Sequence, residues 1–168
     1  ISSLMWNERD GFYYDLDREG KQLRVKTAAT FWLLLAEIPN EIRAERLISH
    51  LTEAKTFGLD NPFPSLAANE KEFDPRGYGF RGSVFPFLTY AIIKGLEKYG
   101  KFELARECSI KHLYYLLEGL HTEEGLKGTL WEAYAPMQEG PASWPGHPKF
   151  PRPLYLPYAA LSTISLMI

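Results

Sequence analysis

The 168 residues are enough for one ordinary domain with a buried core. Hydrophobic residues make up 45% and charged residues 24%, and the net charge of −2 gives no basic footprint for nucleic acid or for an acidic membrane surface. We therefore expect neither of those partners, and we expect residues 1–168 to form a single domain.

Signals for targeting and redox chemistry are sparse. Cys108 has no second cysteine to pair with, so a cytoplasmic location is favoured over an oxidising compartment. There is no signal-peptide pattern and no apolar run of about twenty residues that would predict a membrane span. The chain opens on Ile1 rather than Met and ends on Ile168 inside an apolar run, so we expect a fragment of a longer protein.

The first residues predict little regular structure. Residues 1–6 are interpreted as the tail of a helix, and residues 7–11 carry the Asp-Gly chemistry of a tight turn. Residues 12–17 and 21–26 are short extended segments joined by a glycine-containing loop at residues 18–20, which predicts a small hairpin.

Two kinds of helix are then predicted. Residues 28–38, 82 to about 98, and 154–168 are apolar on almost every face, so they belong inside the molecule. Residues 41 to about 54 and 101 to about 118 carry their charges on one side only, so they are expected to cover the first kind.

The lengths of the connections indicate an architecture. Short turns at residues 39–40 and 99–100 join an inner helix to the following outer helix. Long loops at residues 55–81 and about 119–153 lead back to the next inner helix. This alternation predicts an all-α fold, a partial (α/α)6 toroid of alternating inner and outer helices with a small β-hairpin, in which the long loops meet at one end. A missing N-terminal segment or self-association would have to complete the ring.

One stretch in the second long loop is a candidate site. Residues 129–136 place Glu132 between Trp131 and Tyr134. Aromatic faces bury sugars and other flat surfaces, and a carboxylate beside them can lose water and shift its pKa toward catalytic use. Buried aromatic residues are more often simple core, so the octapeptide alone is a weak signal.

Five motifs in a fixed order carry a family resemblance. They are residues 6–17 (like W-x-E-x-x-G-x-Y-x-D-x-D), 63–68, 79–85 (like Y-W-R-G-P-x-W), 95–100, and 131–134 (like W/Y-E-x-Y). Together they cover most of the chain, which resembles the C-terminal half of the (α/α)6-barrel glycoside hydrolases of the mannosyl-oligosaccharide glucosidase and mannosylglycerate hydrolase type, with trehalases as relatives. The resemblance implies hydrolysis of an α-linked sugar or oligosaccharide with inversion, by one acid and one base.

Roles for individual residues follow from the resemblance. Glu132 matches the general base, whereas the family's general acid is an aspartate that precedes the matched region. None of Asp10, Asp15, Asp17, Asp60 and Asp74 obviously replaces it, so we expect the chain to be catalytically incomplete. Residues expected to bind substrate are Arg81, Phe80, Phe85, Trp131, Tyr134 and Trp144. Phe80 and Phe85 stand where the family often has tryptophan, which leaves the sugar undetermined.

No cofactor is predicted. The spacing of His50, His112, His121 and His147 fits no metal site, and these histidines are expected to be solvated. Two alternatives to a hydrolase stay open: a non-catalytic carbohydrate-binding or interaction module with the same aromatic cleft, and a sugar epimerase or isomerase on the same toroid. The isomerase would need active-site histidines that these residues do not offer.

Overall fold

The computed structural model describes residues 1–119, 130–143 and 157–167. Its regular elements are β1 (Trp6–Asn7), β2 (Phe12–Tyr13), a 3-10 turn (Ala28–Phe31), α1 (Trp32–Leu35), α2 (Glu41–Thr52), α3 (Pro86–Lys98), α4 (Phe102–Gly119) and α5 (Pro157–Met167). Helices are the main regular structure of the described residues, and the strands form one small antiparallel hairpin. The predicted all-α class with a small hairpin is confirmed.

The hairpin lies earlier in the chain than predicted. Trp6 pairs with Tyr13 and Asn7 pairs with Phe12, so the Asp-Gly turn at residues 7–11 closes the hairpin itself. Residues 1–6 are therefore not the tail of a helix. The predicted pairing of residues 12–17 with 21–26 is reduced to a single bridge between Leu16 and Gln22. The reason is burial, because Phe12 and Tyr13 lie in the core whereas Leu23 and Val25 are exposed.

The first inner helix is shorter than the predicted span of residues 28–38. The 3-10 turn runs into α1, which ends at Leu35 because Glu37 takes a left-handed φ of 53°. The Ile38 N–H then donates to the Leu33 carbonyl and the Glu37 N–H donates to the Leu34 carbonyl, both at 3.0 Å. This pair of bonds is the Schellman ending, here with a glutamate where glycine is usual.

The second inner helix also begins later than predicted, at Pro86 instead of Gly82. Proline favours an extended residue before it, and Phe85 has φ −100° and ψ 123°. At its other end, Gly100 (φ 69°) closes α3 as the sequence predicts, with its N–H donating to the Glu97 carbonyl at 3.0 Å.

Helix α3 is the centre of the described helices, since α1, α4 and α5 all pack against it. The close approach of α1 depends on Gly95, because a Cβ at that position would lie 2.8 Å from the Leu34 Cβ and 3.0 Å from the Leu35 nitrogen. The inner helices thus lie side by side in the order α1, α3, α5. Among the outer helices, α4 covers α3 and α5, and α2 packs its buried stripe toward β2.

Aromatic residues join the hairpin to the helices. Phe12, Phe31 and Phe57 are fully buried, and the rings of Phe31 and Phe57 meet edge to face with centroids 5.0 Å apart. These residues come from β2, from the 3-10 turn and from the loop after α2. Burying three phenylalanines in one cluster contributes several kcal/mol, so this cluster fixes where the long loop leaves α2.

Candidate active site

The long loops meet in a layer of extended backbone at one end of the helices. Thr27 forms a bridge with Leu66, and the Ser65 N–H donates to the Ser83 carbonyl at 2.9 Å. The next residue, Val84, exchanges two 2.9 Å bonds with Tyr134. Main-chain hydrogen bonds therefore join the segment before α1 to the loop after α2, and that loop to the segment before α3. The segment before α3 is joined in turn to the stretch that contains Glu132.

Glu132 lies in a short loop that Tyr134 closes. The Trp131 N–H donates to the Tyr134 hydroxyl at 3.1 Å, and both of these side chains are about 1% exposed. Burial raises the pKa of Tyr134 to about 12, so its hydroxyl stays neutral at ordinary pH. Trp131 and Tyr134 pack with Leu116 of α4 in a small cluster of their own. The loop is therefore anchored to the outer helix as well as to the neighbouring loops.

The Glu132 side chain occupies the boundary between this buried cluster and the surface. The residue is half-buried, and its Oε2 atom is shielded from solvent. Trp131 and Tyr134 hold the loop from inside, so the observed part they play is structural and their predicted contact with substrate stays a prediction. A carboxylate on a fixed loop, partly removed from water, is the arrangement that a general base needs.

Gly77 connects the Glu132 stretch to the loop after α2. Its φ is 70°, and a Cβ there would lie 3.0 Å from the Ala142 Cβ and 3.2 Å from the Pro136 Cδ. The hydroxyl of Ser83 donates to the carbonyls of Gly77 and Gly79. The two long loops thus touch through a residue without a side chain, and a larger residue would push them apart.

The other predicted substrate-binding residues differ in exposure. Phe80 is 68% exposed and stacks on the buried Phe85, with ring centroids 5.0 Å apart and planes 27° apart. An exposed aromatic face supported by a second ring is a suitable platform for a sugar. Arg81 is exposed and turned onto its own loop, where its Nε donates to the Glu72 carbonyl at 2.9 Å and its guanidinium lies 3.4 Å from the Glu72 carboxylate. Trp144 lies outside the described residues.

The aspartates considered as general acids mostly have structural partners. Asp17 accepts from the N–H groups of Glu19 and Lys21 within its turn. The Asp74 carboxylate accepts from the Arg76 side chain, a hydrogen bond that holds its pKa below the usual range. Asp10 accepts from the Tyr14 hydroxyl at 3.1 Å.

The expectation of solvated histidines is wrong at two positions. The His50 side chain is 11% exposed, and its Nε2 lies 2.9 Å from the Asp10 carbonyl oxygen. His112 is fully buried in α4. Its Nδ1 lies 3.3 Å from Oδ1 of Asn61, and Asn61 in turn donates to the Ala135 carbonyl at 3.0 Å. Burial lowers the pKa of His112 to about 3, so its imidazole is neutral. The sequence did hold a signal, because the buried stripe of α4 is Ala105, Cys108, His112 and Leu116 at helical spacing.

Within residues 1–119, 130–143 and 157–167, no group of three or more histidine, cysteine or acidic side chains could hold a metal ion. In that part of the chain no helix is both long and apolar enough to cross a bilayer.

The chain is similar in sequence to known proteins. A family model described as the mannosylglycerate hydrolase MGH1-like glycoside hydrolase domain matches residues 1–150. An uncharacterized protein of Borreliella burgdorferi is 47% identical over the whole of this chain, which spans 36% of that protein's length.

Solved structures share the fold. The GH63 mannosylglycerate hydrolase of Thermus thermophilus in complex with glucose superposes with a TM-score of 0.72 at 23% identity, over 96% of this chain and 36% of that enzyme. The neutral trehalase of Saccharomyces cerevisiae gives 0.75 at 16% identity, over 99% of this chain and 28% of the trehalase. The chain therefore spans about a third of the length of these proteins. With a family model matched over most of its residues, the chain belongs to the mannosylglycerate hydrolase MGH1-like glycoside hydrolase domain family.

Proposed function

We propose that the protein is an inverting glycosidase in which Glu132 is the general base that activates water. The observation that carries this proposal is the closed loop around Glu132, with the Trp131 N–H held by the Tyr134 hydroxyl at 3.1 Å and Tyr134 paired to Val84. Catalysis needs the base held in one place, because a fixed carboxylate orients the attacking water without further ordering. Family membership supplies the reaction class.

The proposed substrate is a small α-linked sugar. The structural relatives are a mannosylglycerate hydrolase and a neutral trehalase, so mannosylglycerate and trehalose are the first compounds to test. Phe80 offers an exposed ring for stacking against such a sugar, and Phe85 packs against the other side of that ring. Arg81 is on the same loop, and a sugar hydroxyl would have to compete with Glu72 for its guanidinium.

The proposed general acid lies outside residues 1–168, in a preceding part of a larger barrel. Support comes from length, since the chain spans only 34% of the mannosylglycerate hydrolase that it resembles. Exposed apolar side chains on two inner helices support the same proposal: Trp32 is 44% exposed, Leu161 65% and Ile164 52%. Inversion requires the acid to lie about 6.5–9.5 Å from Glu132, on the opposite side of the sugar. Self-association is the other way to cover these side chains, and the oligomeric state of residues 1–168 distinguishes the two.

The decisive experiment replaces Glu132 with glutamine in the full-length protein. Glu132→Gln keeps the size of the side chain but removes the basic oxygen, so hydrolysis should fall about 10²–10⁴-fold while sugar binding is retained. Glu139→Gln is the matched control, because Glu139 is exposed on the same loop. NMR of the first product anomer should show the opposite configuration to the substrate. Full activity in Glu132→Gln would remove this residue as the base.

The rival function is a non-catalytic carbohydrate-binding module. It predicts that the unaltered full-length protein binds sugar without turnover, and that Phe80→Ala weakens binding whereas Glu132→Gln leaves it unchanged. The isomerase alternative needs a histidine that reaches the sugar, and His112 is enclosed by protein and engaged by Asn61.

A further inference from the structure

A buried polar chain connects the outer helix α4 to the Glu132 loop. His112 Nδ1 lies 3.3 Å from Asn61 Oδ1, and the Asn61 amide donates to the Ala135 carbonyl at 3.0 Å. His112 and Asn61 are both 0% exposed. Polar groups that have lost all contact with water destabilise the fold unless they are hydrogen-bonded. A leucine could fill the position of His112, so the presence of this buried polar chain calls for an explanation.

The partners determine which atom donates and which accepts at each step of this buried polar chain. Because the Ala135 carbonyl can only accept, the Asn61 side chain must turn its nitrogen toward Ala135 and its oxygen toward His112. The His112 Nδ1 must then carry a proton and donate it to that oxygen. The imidazole is neutral because burial lowers the pKa of His112 to about 3. Its Nε2 has no hydrogen-bond partner among the described residues, so within them Nδ1 makes the hydrogen bond of this ring, to Asn61.

The same ring also supports the loop by packing. The His112 ring meets Tyr134 edge-on, with centroids 6.5 Å apart and planes 83° apart. Tyr134 accepts from the Trp131 N–H, so its position decides where the loop around Glu132 closes. His112 therefore acts on both sides of Glu132: through Asn61 on Ala135, and through Tyr134 on Trp131.

We propose that His112 and Asn61 are positioning residues that fix the Glu132 loop against α4, although neither touches the substrate. This inference rests on the proposed function of Glu132 as the general base. A carboxylate that activates water must be placed to within a fraction of an ångström, and a shift of about 1 Å costs as much as 10²-fold in rate. A histidine that merely filled the core would affect the stability of the protein but not the geometry of the loop.

The test compares three variants of the full-length protein. His112→Leu fills the space but removes the donor, whereas His112→Asn keeps an amide nitrogen near the place of Nδ1. Asn61→Ala removes hydrogen bonds of the same buried polar chain by truncating a loop residue, and it leaves α4 unaltered. It therefore still tests the proposal if His112→Leu does not fold. The first measurement is hydrogen exchange of the amides of residues 131–135, with the amides of α3 as the internal reference.

We expect exchange at residues 131–135 to become at least about 10-fold faster in His112→Leu and Asn61→Ala, while His112→Asn stays near the unaltered protein. With mannosylglycerate or trehalose, kcat should fall about 10–100-fold in the first two variants with KM changed by less than about 3-fold. His112→Asn should recover most of the rate.

Unchanged exchange at residues 131–135 in both His112→Leu and Asn61→Ala would overturn the positioning role, as would a kcat that falls only in proportion to the folded fraction. Exchange is measured without substrate, so the two hypotheses fail separately. Faster exchange, together with a Glu132→Gln variant that is fully active, would leave the positioning of the loop intact and remove the proposed function of Glu132.

Discussion

Lowering the pH from about 7 to about 5 should destabilise the folded protein through His112. Burial, with no compensating charge, lowers the pKa of this imidazole to about 3, whereas a histidine in the unfolded chain titrates near about 6.5. At pH values between these two pKa values, His112 is protonated in the unfolded chain but not in the folded protein. The neutral His112 therefore makes its full contribution to stability above a pH of about 6.5, and this contribution is lost as the pH falls toward about 3.

The size of the effect follows from the two pKa values. At a pH of about 5 the solution is about 1.5 units below the unfolded pKa, and each unit is worth about 1.4 kcal/mol, so His112 alone should cost about 2 kcal/mol of unfolding free energy. Urea unfolding of the full-length protein at both pH values measures it. His50 contributes in the same direction, since burial also lowers its pKa, so the change in the unaltered protein is a sum.

A comparison with His112→Asn isolates the single residue. The variant should be less stable than the unaltered protein at a pH of about 7. At a pH of about 5, the difference between their unfolding free energies should narrow by about 2 kcal/mol, because only the unaltered chain has this histidine to protonate. A gap of the same size at both pH values would refute the reasoning, since it would mean that His112 titrates alike in the folded and unfolded states.

Two further substitutions test the packing of α3 and the closure of the Glu132 loop. Gly95→Ala should lower the unfolding free energy by about 1–3 kcal/mol in urea, because the new Cβ would lie 2.8 Å from the Leu34 Cβ and this overpacking exceeds the gain in helix propensity; equal or greater stability would show that α1 and α3 can separate without cost. Tyr134→Phe should cost about 1–3 kcal/mol and speed exchange of the Trp131 amide, because that buried N–H loses its acceptor. Tyr114→Phe is the matched control, since Tyr114 is exposed on α4, and an equal effect of both changes would argue against the loop closure.

Much of the helical fold is determined by sequence signals that act locally. The apolar stripe of α2, the Asn40 side chain that accepts from the Arg43 N–H at 2.9 Å, and Gly100 at the end of α3 all act within a few residues. Periodicity and capping chemistry are therefore sufficient to predict that these helices exist and roughly where they end. The sequence itself places Glu132 between Trp131 and Tyr134, whereas its role as the general base rests on the family resemblance and stays a prediction.

Features that depend on contacts between residues far apart in sequence were determined only by the tertiary structure. The first inner helix stops at Leu35, and β2 is drawn toward the core because Phe12 packs with Phe31 and Phe57, which no short window of sequence reveals. The same holds for the site, where Tyr134 closes the loop by pairing with Val84, and His112 reaches Asn61 across 51 positions of the chain. Loops carry no periodicity, so pairings between them are selected by the burial and hydrogen-bond satisfaction of the whole fold.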